Sequence, residues 1–435
     1  MKEAGHEGVP KWRIRPWRAR LPGEGTRGVT ENSAVSLMRL MQAGHTVTLE
    51  QLPGMIAEHA AVAGMHDVAV FVVDIRETVL RRLTGQGTDA GGGGQEFTVS
   101  GSLPGRAYQR VELLPESERD GAGGCPGRRR WWVAVTDGVE RLGVLRADTD
   151  TGTEPVRQAL RDLASMTALL LLSKRSFSDS YARLTRTEPM NVAAEMQRNL
   201  TPPPAYAGHD TTVGAVMEPA YQIGGDAFDY AVTGSTLHLS VFDAMGHDTT
   251  AGITANVAVA ACRNARRQGA SLTETSRQVE QTLIEQFSTS RYITGILAHL
   301  DMDTGRLTWI NRGHHLPILI RGNRWVTELA CPPAGPMGAD LGLPVTTATD
   351  QLEPGDRLLL YTDGIVEARD RYGTEFGRDR FVDFILRHHS GRHTLHETLR
   401  RLMAAVMKHH DGKLDDDATV LLIEWRGGHQ QELTP

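Results

Sequence analysis

The amino-acid sequence predicts an α+β protein with more than one domain. The chain of 435 residues exceeds the length of one ordinary domain. Its content of 40% hydrophobic and 23% charged residues is that of a globular protein. Apolar segments of strand length alternate with segments of helical periodicity, and in the C-terminal half strand pairs flank a pair of helices. That order predicts two antiparallel sheets with helices outside them, which is a four-layered α-β-β-α domain.

The charge and the cysteine content of the sequence indicate the compartment and the classes of partner that we expect for the protein. The formal net charge of −6 gives no argument for binding to nucleic acid or to a membrane. Cys125, Cys262 and Cys331 lie far apart, which favours a reducing compartment and no zinc site. The basic N-terminus lacks the apolar core of a signal peptide, and no apolar stretch approaches the roughly 20 residues of a membrane span. We therefore expect a cytoplasmic protein that binds neither nucleic acid nor a membrane.

Both ends of the chain predict tails. In residues 1–28, Lys and Arg are interleaved with Trp, Ile and Pro, and this composition predicts a flexible basic segment. A basic arm that contacts nucleic acid or acidic lipid is the alternative. Residues 427–435 predict a second, short tail.

Residues 29–175 predict a small α/β domain. Helical spacing from about Thr30 is followed by a strand at 67–74, its hairpin partner at 79–83 and a short helix after Ser102. Two strands joined by an Asp-Gly turn and a helix at 155–174 complete the order. With the Ser-Leu-Pro-Gly-Arg-Ala and Leu-Gly-Val-Leu segments that begin at 102 and 142, this order resembles a GAF sensory domain. A module used only for dimerisation is the alternative.

Residues 176–204 predict a helical linker. The segment ends at the prolines 202–204, and Pro189 interrupts its helix. Apolar residues at coiled-coil spacing run from the preceding helix into this segment. They are Leu160, Leu163, Met166, Leu170, Val192 and Met196. We expect a homodimer that forms through the linker, which would carry the state of the sensor into the next domain.

Aspartates stand at the ends of several predicted strands in the C-terminal half. They are Asp226, Asp243, Asp363 and the run Asp415, Asp416 and Asp417. A carboxylate at the end of a buried strand is costly unless a cation meets it. Carboxylates that converge would form an oxygen-rich site for Mg²⁺ or Mn²⁺.

Six short motifs follow one another in this half of the chain. They are Gly-Gly-Asp-x-x-Asp at 224–229, Asp-x-Met-Gly-His at 243–247, Asn-x-Gly-His at 311–314, Gly-Pro-Met-Gly at 335–338, Tyr-Thr-Asp-Gly-x-x-Glu-Ala at 361–368 and Asp-Asp-Ala-Thr at 416–419. In this order they resemble the bacterial stage II sporulation protein E / RsbU group of metal-dependent, PP2C-like (PPM) Ser/Thr phosphatases. The resemblance implies a PP2C-like phosphatase domain over residues 205–426.

The resemblance also implies a site for two divalent cations, Mn²⁺ or Mg²⁺, and assigns their ligands. Asp243 would bridge the two ions, and the carbonyl oxygen of Ala244 would bind one of them. Asp363 and Asp416 would complete the other, and Asp226 would bind directly or through water. Asp243, Asp363 and Asp416 would act in catalysis through a metal-bound water.

Several assignments stay open. Any of Asp415, Asp416 and Asp417 could be the ligand before the last strand, and the resemblance favours Asp416 because one polar residue and then Ala-Thr follow it. His247 or the turn at 311–315 could supply a proton donor, and a structural role is the simpler interpretation of both. No residue is assigned to substrate binding.

We therefore predict a phosphoprotein phosphatase specific for phosphoserine and phosphothreonine. By resemblance, its substrate is a phosphorylated anti-sigma-factor antagonist of the STAS type in a partner-switching pathway, under control of the N-terminal sensor. A catalytically silent regulatory binding protein with a phosphatase fold is the alternative. A nuclease is a third interpretation, which the acidic balance and the order of the motifs disfavour.

Overall fold

The computed structural model of the protein describes residues 27–116, 127–222, 224–246, 248–389, 394–412, 414 and 416–427. The predicted tails lie almost entirely outside these residues, and Asp415 and His247 lie outside them as well. None of the helices in the described ranges is both long enough and apolar enough to span a membrane.

The N-terminal unit, residues 27–175, is built on a six-stranded antiparallel sheet with the order β3-β2-β1-β6-β5-β4. Its strands are β1 (Met65–Val73), β2 (Val79–Leu83), β3 (Glu96–Thr98), β4 (Leu113–Pro115), β5 (Arg129–Asp137) and β6 (Glu140–Thr149), and its helices are α1 (Arg27–Gly44), α2 (Leu52–Val62), α3 (Leu103–Arg110) and α4 (Glu154–Arg175). Successive side chains of β1 point to opposite faces of the sheet and so contribute to two separate hydrophobic cores. Val70 and Val72 face α1, α2 and α4, whereas Phe71 packs with Tyr108 of α3 on the other face.

Helix α4 does not offer the predicted coiled-coil seam. Leu160, Leu163 and Leu170 are buried in the core between α4 and the sheet, and Met166 packs against the same core. This part of the prediction is wrong. An amphipathic helix has nearly the same apolar periodicity whether it faces its own sheet or a partner helix, so the spacing could not separate the two.

The segment predicted as a linker contains two short helices, α5 (Asp179–Thr185) and α6 (Val192–Leu200). Asn191 caps α6 by accepting a hydrogen bond of 2.7 Å from the amide of Ala194. Val192 and Met196 are 67% and 40% exposed. The predicted dimer contact would use these two residues, and it stays a prediction.

Two further antiparallel sheets form the C-terminal unit, residues 205–426. One has five strands in the order β15-β12-β11-β10-β9, and the other has six in the order β14-β13-β16-β17-β8-β7. The strands are β7 (Ala205–Ala207), β8 (Thr211–Glu218), β9 (Asp226–Thr233), β10 (Thr236–Ala244), β11 (Ile293–Asp301), β12 (Arg306–Arg312), β13 (Ile318–Arg321), β14 (Trp325–Glu328), β15 (Thr347–Gln351), β16 (Arg357–Tyr361) and β17 (Ala418–Trp425). The helices are α7 (Thr249–Arg267), α8 (Leu272–Phe287), α9 (Asp363–Val366), α10 (Arg378–His389) and α11 (Leu395–His409).

The two sheets pack face to face with helices on their outer faces, which is the predicted four-layered arrangement. Trp309, Leu360 and Leu421 are buried in the core between the sheets. Helices α7 and α8 cover the five-stranded sheet, and α10 and α11 cover the six-stranded sheet. Strand β10 is apolar on both faces because Val241 points into the central core and Phe242 points towards α7 and α8.

Candidate metal centre

The predicted acids lie at one end of the two packed sheets. In the five-stranded sheet, Asp226 at the start of β9 pairs with Asp243 near the end of β10. In the six-stranded sheet, β16 ends just before Asp363 and β17 begins shortly after Asp416. Antiparallel pairing of β16 with β17 puts these two ends side by side. The charges of Asp363 and Asp416 act on Asp243, so the two sheet edges lie near each other at this end.

Asp226 is buried against the other sheet. Its Oδ2 accepts a hydrogen bond of 2.6 Å from Thr362 Oγ1, which in turn accepts one of 2.9 Å from the amide of Thr419. These bonds tie the carboxylate of one sheet to the strand ends of the other. Burial and the neighbouring charges of Asp417 and Asp243 raise the pKa of Asp226 well above its usual range.

Asp243 is the common neighbour of the other acids. Burial, and then the charges of Asp363, Asp416 and Asp417, raise its pKa to about 7. The fold therefore holds several carboxylates together against their mutual repulsion, and a divalent cation would relieve that repulsion. A donor set made of carboxylate oxygens fits Mg²⁺ or Mn²⁺.

The carbonyl group of Ala244 lies beside the glycine pair that precedes Asp226. The amide of Ala244 donates a hydrogen bond of 3.0 Å to the carbonyl oxygen of Gly225. A Cβ atom on Gly225 would come within 2.4 Å of the Ala244 oxygen, so only glycine leaves room for this contact. The predicted carbonyl ligand is thus kept next to the carboxylates of Asp226 and Asp243.

Asp416 and Asp417 differ in a way that bears on the open choice of ligand. Asp417 is buried, and its carboxylate accepts hydrogen bonds from the amides of Gly224, at 2.8 Å, and Asp226, at 3.1 Å. Burial, opposed by these bonds, raises its pKa to about 6. Asp416 is exposed and accepts a bond of 2.9 Å from the amide of Asp417. Because backbone amides use the oxygens of Asp417, the geometry favours Asp416 as the ligand.

Two residues beside Asp363 were not assigned as metal ligands from the sequence. A ring nitrogen of His315 and carboxylate oxygens of Asp363 and Glu367 lie within 4.8 Å of one another. His315 also stacks on Tyr361, with ring centroids 5.6 Å apart. His315 directly follows the Asn-x-Gly-His motif and Glu367 lies inside the Tyr-Thr-Asp-Gly-x-x-Glu-Ala motif, which is the signal that could have identified them. They add one nitrogen and one oxygen donor on the open side of the site.

His314 holds the neighbouring turn in place. Its Nε2 lies 3.0 Å from the carbonyl oxygen of Tyr361, and its Nδ1 lies 2.9 Å from Thr294 Oγ1. A carbonyl oxygen only accepts, so Nε2 carries the proton and Nδ1 accepts from the hydroxyl. Burial and the charge of His315 lower the pKa of His314 to about 4. With both ring nitrogens occupied in a neutral ring, His314 has a structural role rather than that of a proton donor.

Manganese binding at this site is expected to release protons. Because the pKa of Asp243 is raised to about 7 and that of Asp226 is raised too, the metal-free protein holds protons that a cation must displace. Affinity for Mn²⁺ should rise with pH, by up to about tenfold per pH unit for each proton displaced. Isothermal titration calorimetry at pH 6, in two buffers of different ionisation enthalpy, counts the protons.

The raised pKa of Asp243 also determines how the free energy of unfolding changes with pH. Between the ordinary carboxyl pKa of 3.8 and about 7, the folded metal-free protein binds more protons at Asp243 than the unfolded chain does. The contribution of Asp243 to the free energy of unfolding therefore falls as pH rises through this window. An Asp243→Asn variant should lose that part of the slope. Absence of proton release at pH 6, together with equal slopes for the two proteins, would contradict the raised pKa.

Comparison with known proteins finds similar sequences for part of this chain. Residues 233–426 match the family model described as stage II sporulation protein E (SpoIIE). The phosphoserine phosphatase RsbU of Bacillus subtilis is 21% identical over 235 residues, which cover 54% of this chain and 69% of RsbU. The chain is thus similar to the SpoIIE family over residues 233–426 and to RsbU over about half of its length. The named activity of RsbU supports the prediction of a phosphoprotein phosphatase.

Solved structures also match the chain. The SiaA-PP2C domain of Pseudomonas aeruginosa is 20% identical, with a TM-score of 0.46, over 54% of this chain and 94% of that domain. The catalytic domain of the serine/threonine phosphatase PstP, solved in complex with two manganese ions, is 14% identical, with a TM-score of 0.37, over 49% of this chain and 98% of that one.

Proposed function

We propose that the chain is a metal-dependent protein phosphatase that removes phosphate from serine or threonine. The observation that carries the proposal is the meeting of Asp226, Asp243, Asp363 and Asp416 from the strand ends of two sheets. The raised pKa values of Asp226 and Asp243 support it, because they arise from burial and then from the repulsion of neighbouring carboxylates, and a shared cation would offset both.

Each acid has a proposed place in a site for two ions, Mn²⁺ or Mg²⁺. Asp243 would be the ligand shared by both ions, because the charges of Asp363, Asp416 and Asp417 act on it. Asp226 and the carbonyl oxygen of Ala244 would hold one ion, and Asp363 and Asp416 would hold the other. When bound, the ions neutralise phosphoryl oxygens and lower the pKa of an attacking water. The chain itself orients these ligands through the hydrogen bonds that fix Asp226 and its neighbouring backbone.

The proposed substrate is a phosphorylated anti-sigma-factor antagonist of the STAS type, in a partner-switching pathway. The resemblance of the six motifs and the match to RsbU support this choice. The openness of the site supports a protein substrate as well. Asp416, His315 and Glu367 are exposed, and Met245 beside Ala244 is 37% exposed. A site with such an open rim can admit a phosphoserine on the surface of another protein.

The test is phosphate release by the full chain from a STAS protein phosphorylated on serine. The matched control is the same protein carrying phosphotyrosine instead. We expect release from phosphoserine that requires Mn²⁺ and stops with a chelator, little release from phosphotyrosine, and no cleavage of DNA. A manganese-loaded protein that releases no phosphate from any phosphoserine or phosphothreonine substrate would contradict the proposal and favour the silent binding protein.

The N-terminal unit is proposed to be a GAF-like sensory domain, residues 29–175, that controls a phosphatase domain over residues 205–426. Support comes from the placement of the proposed linker, residues 176–204. Its helix α6 packs on α7, where a Cβ atom on Gly252 would come within 2.8 Å of Ala193. Because α7 is the helix that follows Asp243 and Ala244, the linker lies against an element close to the metal ligands. A homodimer would form through Val192 and Met196.

A further inference from the structure

The turn between β1 and β2, residues 74–78, is one part of the N-terminal unit that contacts the phosphatase domain. The buried carboxylate of Asp74 accepts hydrogen bonds of 2.7 Å from the amides of Thr78 and Val79 and one of 3.3 Å from the amide of Arg76. These bonds fix the backbone of the turn. Arg76 and Glu77 are thereby presented to two different segments of the phosphatase domain.

Arg76 contacts the segment that leads into Asp226. Its Nε lies 3.5 Å from Glu218 Oε2, and its guanidinium lies over the ring of Tyr221, 5.0 Å from the centroid. A second ion pair joins Arg76 to Glu188. Glu218 ends β8, and the chain then runs through Tyr221 and the glycine pair to Asp226. Arg76 therefore contacts, at Glu218 and at Tyr221, the segment that leads into the first half of the metal site.

Glu77 contacts the helix that leads into Asp416. Its carboxylate pairs with the ring of His396 on α11 and with Arg141 of β6, at 2.7 Å. Arg141 donates a second bond of 2.8 Å to Glu397, also on α11, and the side chains of Arg141 and Glu397 are fully buried. From this anchored end, α11 runs to His409, and the chain continues to Asp416 and β17.

One turn thus contacts the two chain segments that lead to Asp226 and to Asp416, two of the four acids of the site. The acids repel one another, so their spacing in the metal-free protein depends on the scaffold that holds them. A helix is stiff along its axis and transmits a displacement of one end to the other. Loosening the turn would let Asp226 and Asp416 separate, and a cation would then have to bring them back together at a cost in affinity.

We propose that Arg76 and Glu77 are positioning residues for the metal site. They set its affinity for Mn²⁺ by holding Glu218 on one side and α11 on the other, so that a change in the N-terminal unit reaches the acids through this turn. The inference rests on the proposed function, because it assigns the regulation of the same site. A signal that shifts the turn would change the occupancy of the site without contacting it.

The test measures manganese affinity in the full chain with Arg76→Gln and, separately, with Glu77→Gln. Glutamine keeps much of each side chain and removes its charge. The dissociation constant for Mn²⁺, from isothermal titration calorimetry at pH 8, is expected to rise about 2- to 30-fold in each variant. Arg76→Lys, which keeps a positive charge near Glu218, should bring the constant back towards that of the unchanged protein.

The matched control is Arg130→Gln. Arg130 lies on β5 of the same sheet, bonded to Asp148 at 2.8 Å, at the end of the sheet away from the turn. This variant should lower the thermal unfolding midpoint while leaving the manganese constant within about twofold. A role in folding alone would lower the midpoint in all the variants without moving the manganese constant.

The outcomes separate this inference from the proposed function. Unchanged manganese affinity in folded Arg76→Gln and Glu77→Gln would overturn it, as would tighter binding or an equal shift in Arg130→Gln. The measurement needs no phosphoester. A protein that binds Mn²⁺ but hydrolyses no phosphoprotein would therefore refute the proposed function, while the affinities of the variants would still decide whether the turn positions the site.

Discussion

Replacing Asp243 by Asn is expected to lower manganese-dependent phosphatase activity by more than about 100-fold. Loss of a group that only orients a metal ligand typically lowers metal affinity or activity 10- to 100-fold. Asp243 is the proposed shared ligand itself, so its loss should cost more. The variant should also bind Mn²⁺ more weakly. Its metal-free form should unfold at a higher temperature, because the replacement removes a charge that Asp363 and Asp416 repel. Activity with Mn²⁺ and thermal unfolding without it, measured on one preparation, separate lost chemistry from lost folding.

Variants of the adjacent residues Asp416 and Asp417 test which of the two is the metal ligand. Asp416→Asn should reduce manganese affinity and activity as Asp243→Asn does. In the unchanged protein the backbone amides of Gly224 and Asp226 donate to Asp417 Oδ2. In Asp417→Asn the side-chain oxygen of asparagine can still accept these bonds. This variant should keep activity within about tenfold. Strong loss in Asp417→Asn, with little change in Asp416→Asn, would move the ligand assignment to Asp417.

Replacing Arg141 by Met is expected to lower the free energy of unfolding by about 3–5 kcal/mol. Methionine fills similar volume but leaves the buried carboxylates of Glu77 and Glu397 without their shared cation. Burial alone would raise the pKa of Glu397, yet bonds from Arg400 and the charge of Arg141 lower it to about 2. The stabilisation from Glu397 is therefore present above the ordinary carboxyl pKa of 4.5 and is lost as pH falls towards 2. Urea unfolding of the full chain at pH 7 measures the effect.

The control variant removes the carboxylates of Glu77 and Glu397 together with the arginine. A variant that combines Arg141→Met with Glu77→Gln and Glu397→Gln should recover part of the loss, because it removes the two buried carboxylates that Arg141 neutralises. Recovery is only partial because Arg400 and Arg401 lose the carboxylate that they share in Glu397. A change of less than about 1 kcal/mol for Arg141→Met alone would contradict the buried ion network. A combined variant no more stable than Arg141→Met would show that packing, not charge, is lost.

The sequence predicted the acids of the site because each ends or begins a strand, and antiparallel pairing brings such ends together. It could not choose between Asp416 and Asp417, since adjacent residues differ only in which way the backbone turns them. The structure separates them through the amides of Gly224 and Asp226. The sequence placed His315 in the turn at 311–315 but did not assign it as a metal donor, because two adjacent histidines in one turn do not show which of them faces the site.

Other features depend on tertiary contacts that a single segment does not encode. The apolar spacing of Leu160, Leu163 and Leu170 suits a coiled coil, but these leucines pack on the sheet of their own unit. The short strands β14 and β15 and the amphipathic helix α10 gave no distinct signal, because each is defined by its neighbours. The ion network around Arg141 joins residues that lie far apart in the chain, so no local sequence pattern predicts it.

A crystal structure of the full chain grown with Mn²⁺, with anomalous scattering recorded at the manganese edge, tests the central claim most directly. Two peaks roughly 4 Å apart are expected. Asp243 should contact both, Asp226 and the carbonyl oxygen of Ala244 should lie beside one, and Asp363 and Asp416 beside the other. The account would be contradicted by a map without manganese at these acids, or by peaks that lie elsewhere in the protein.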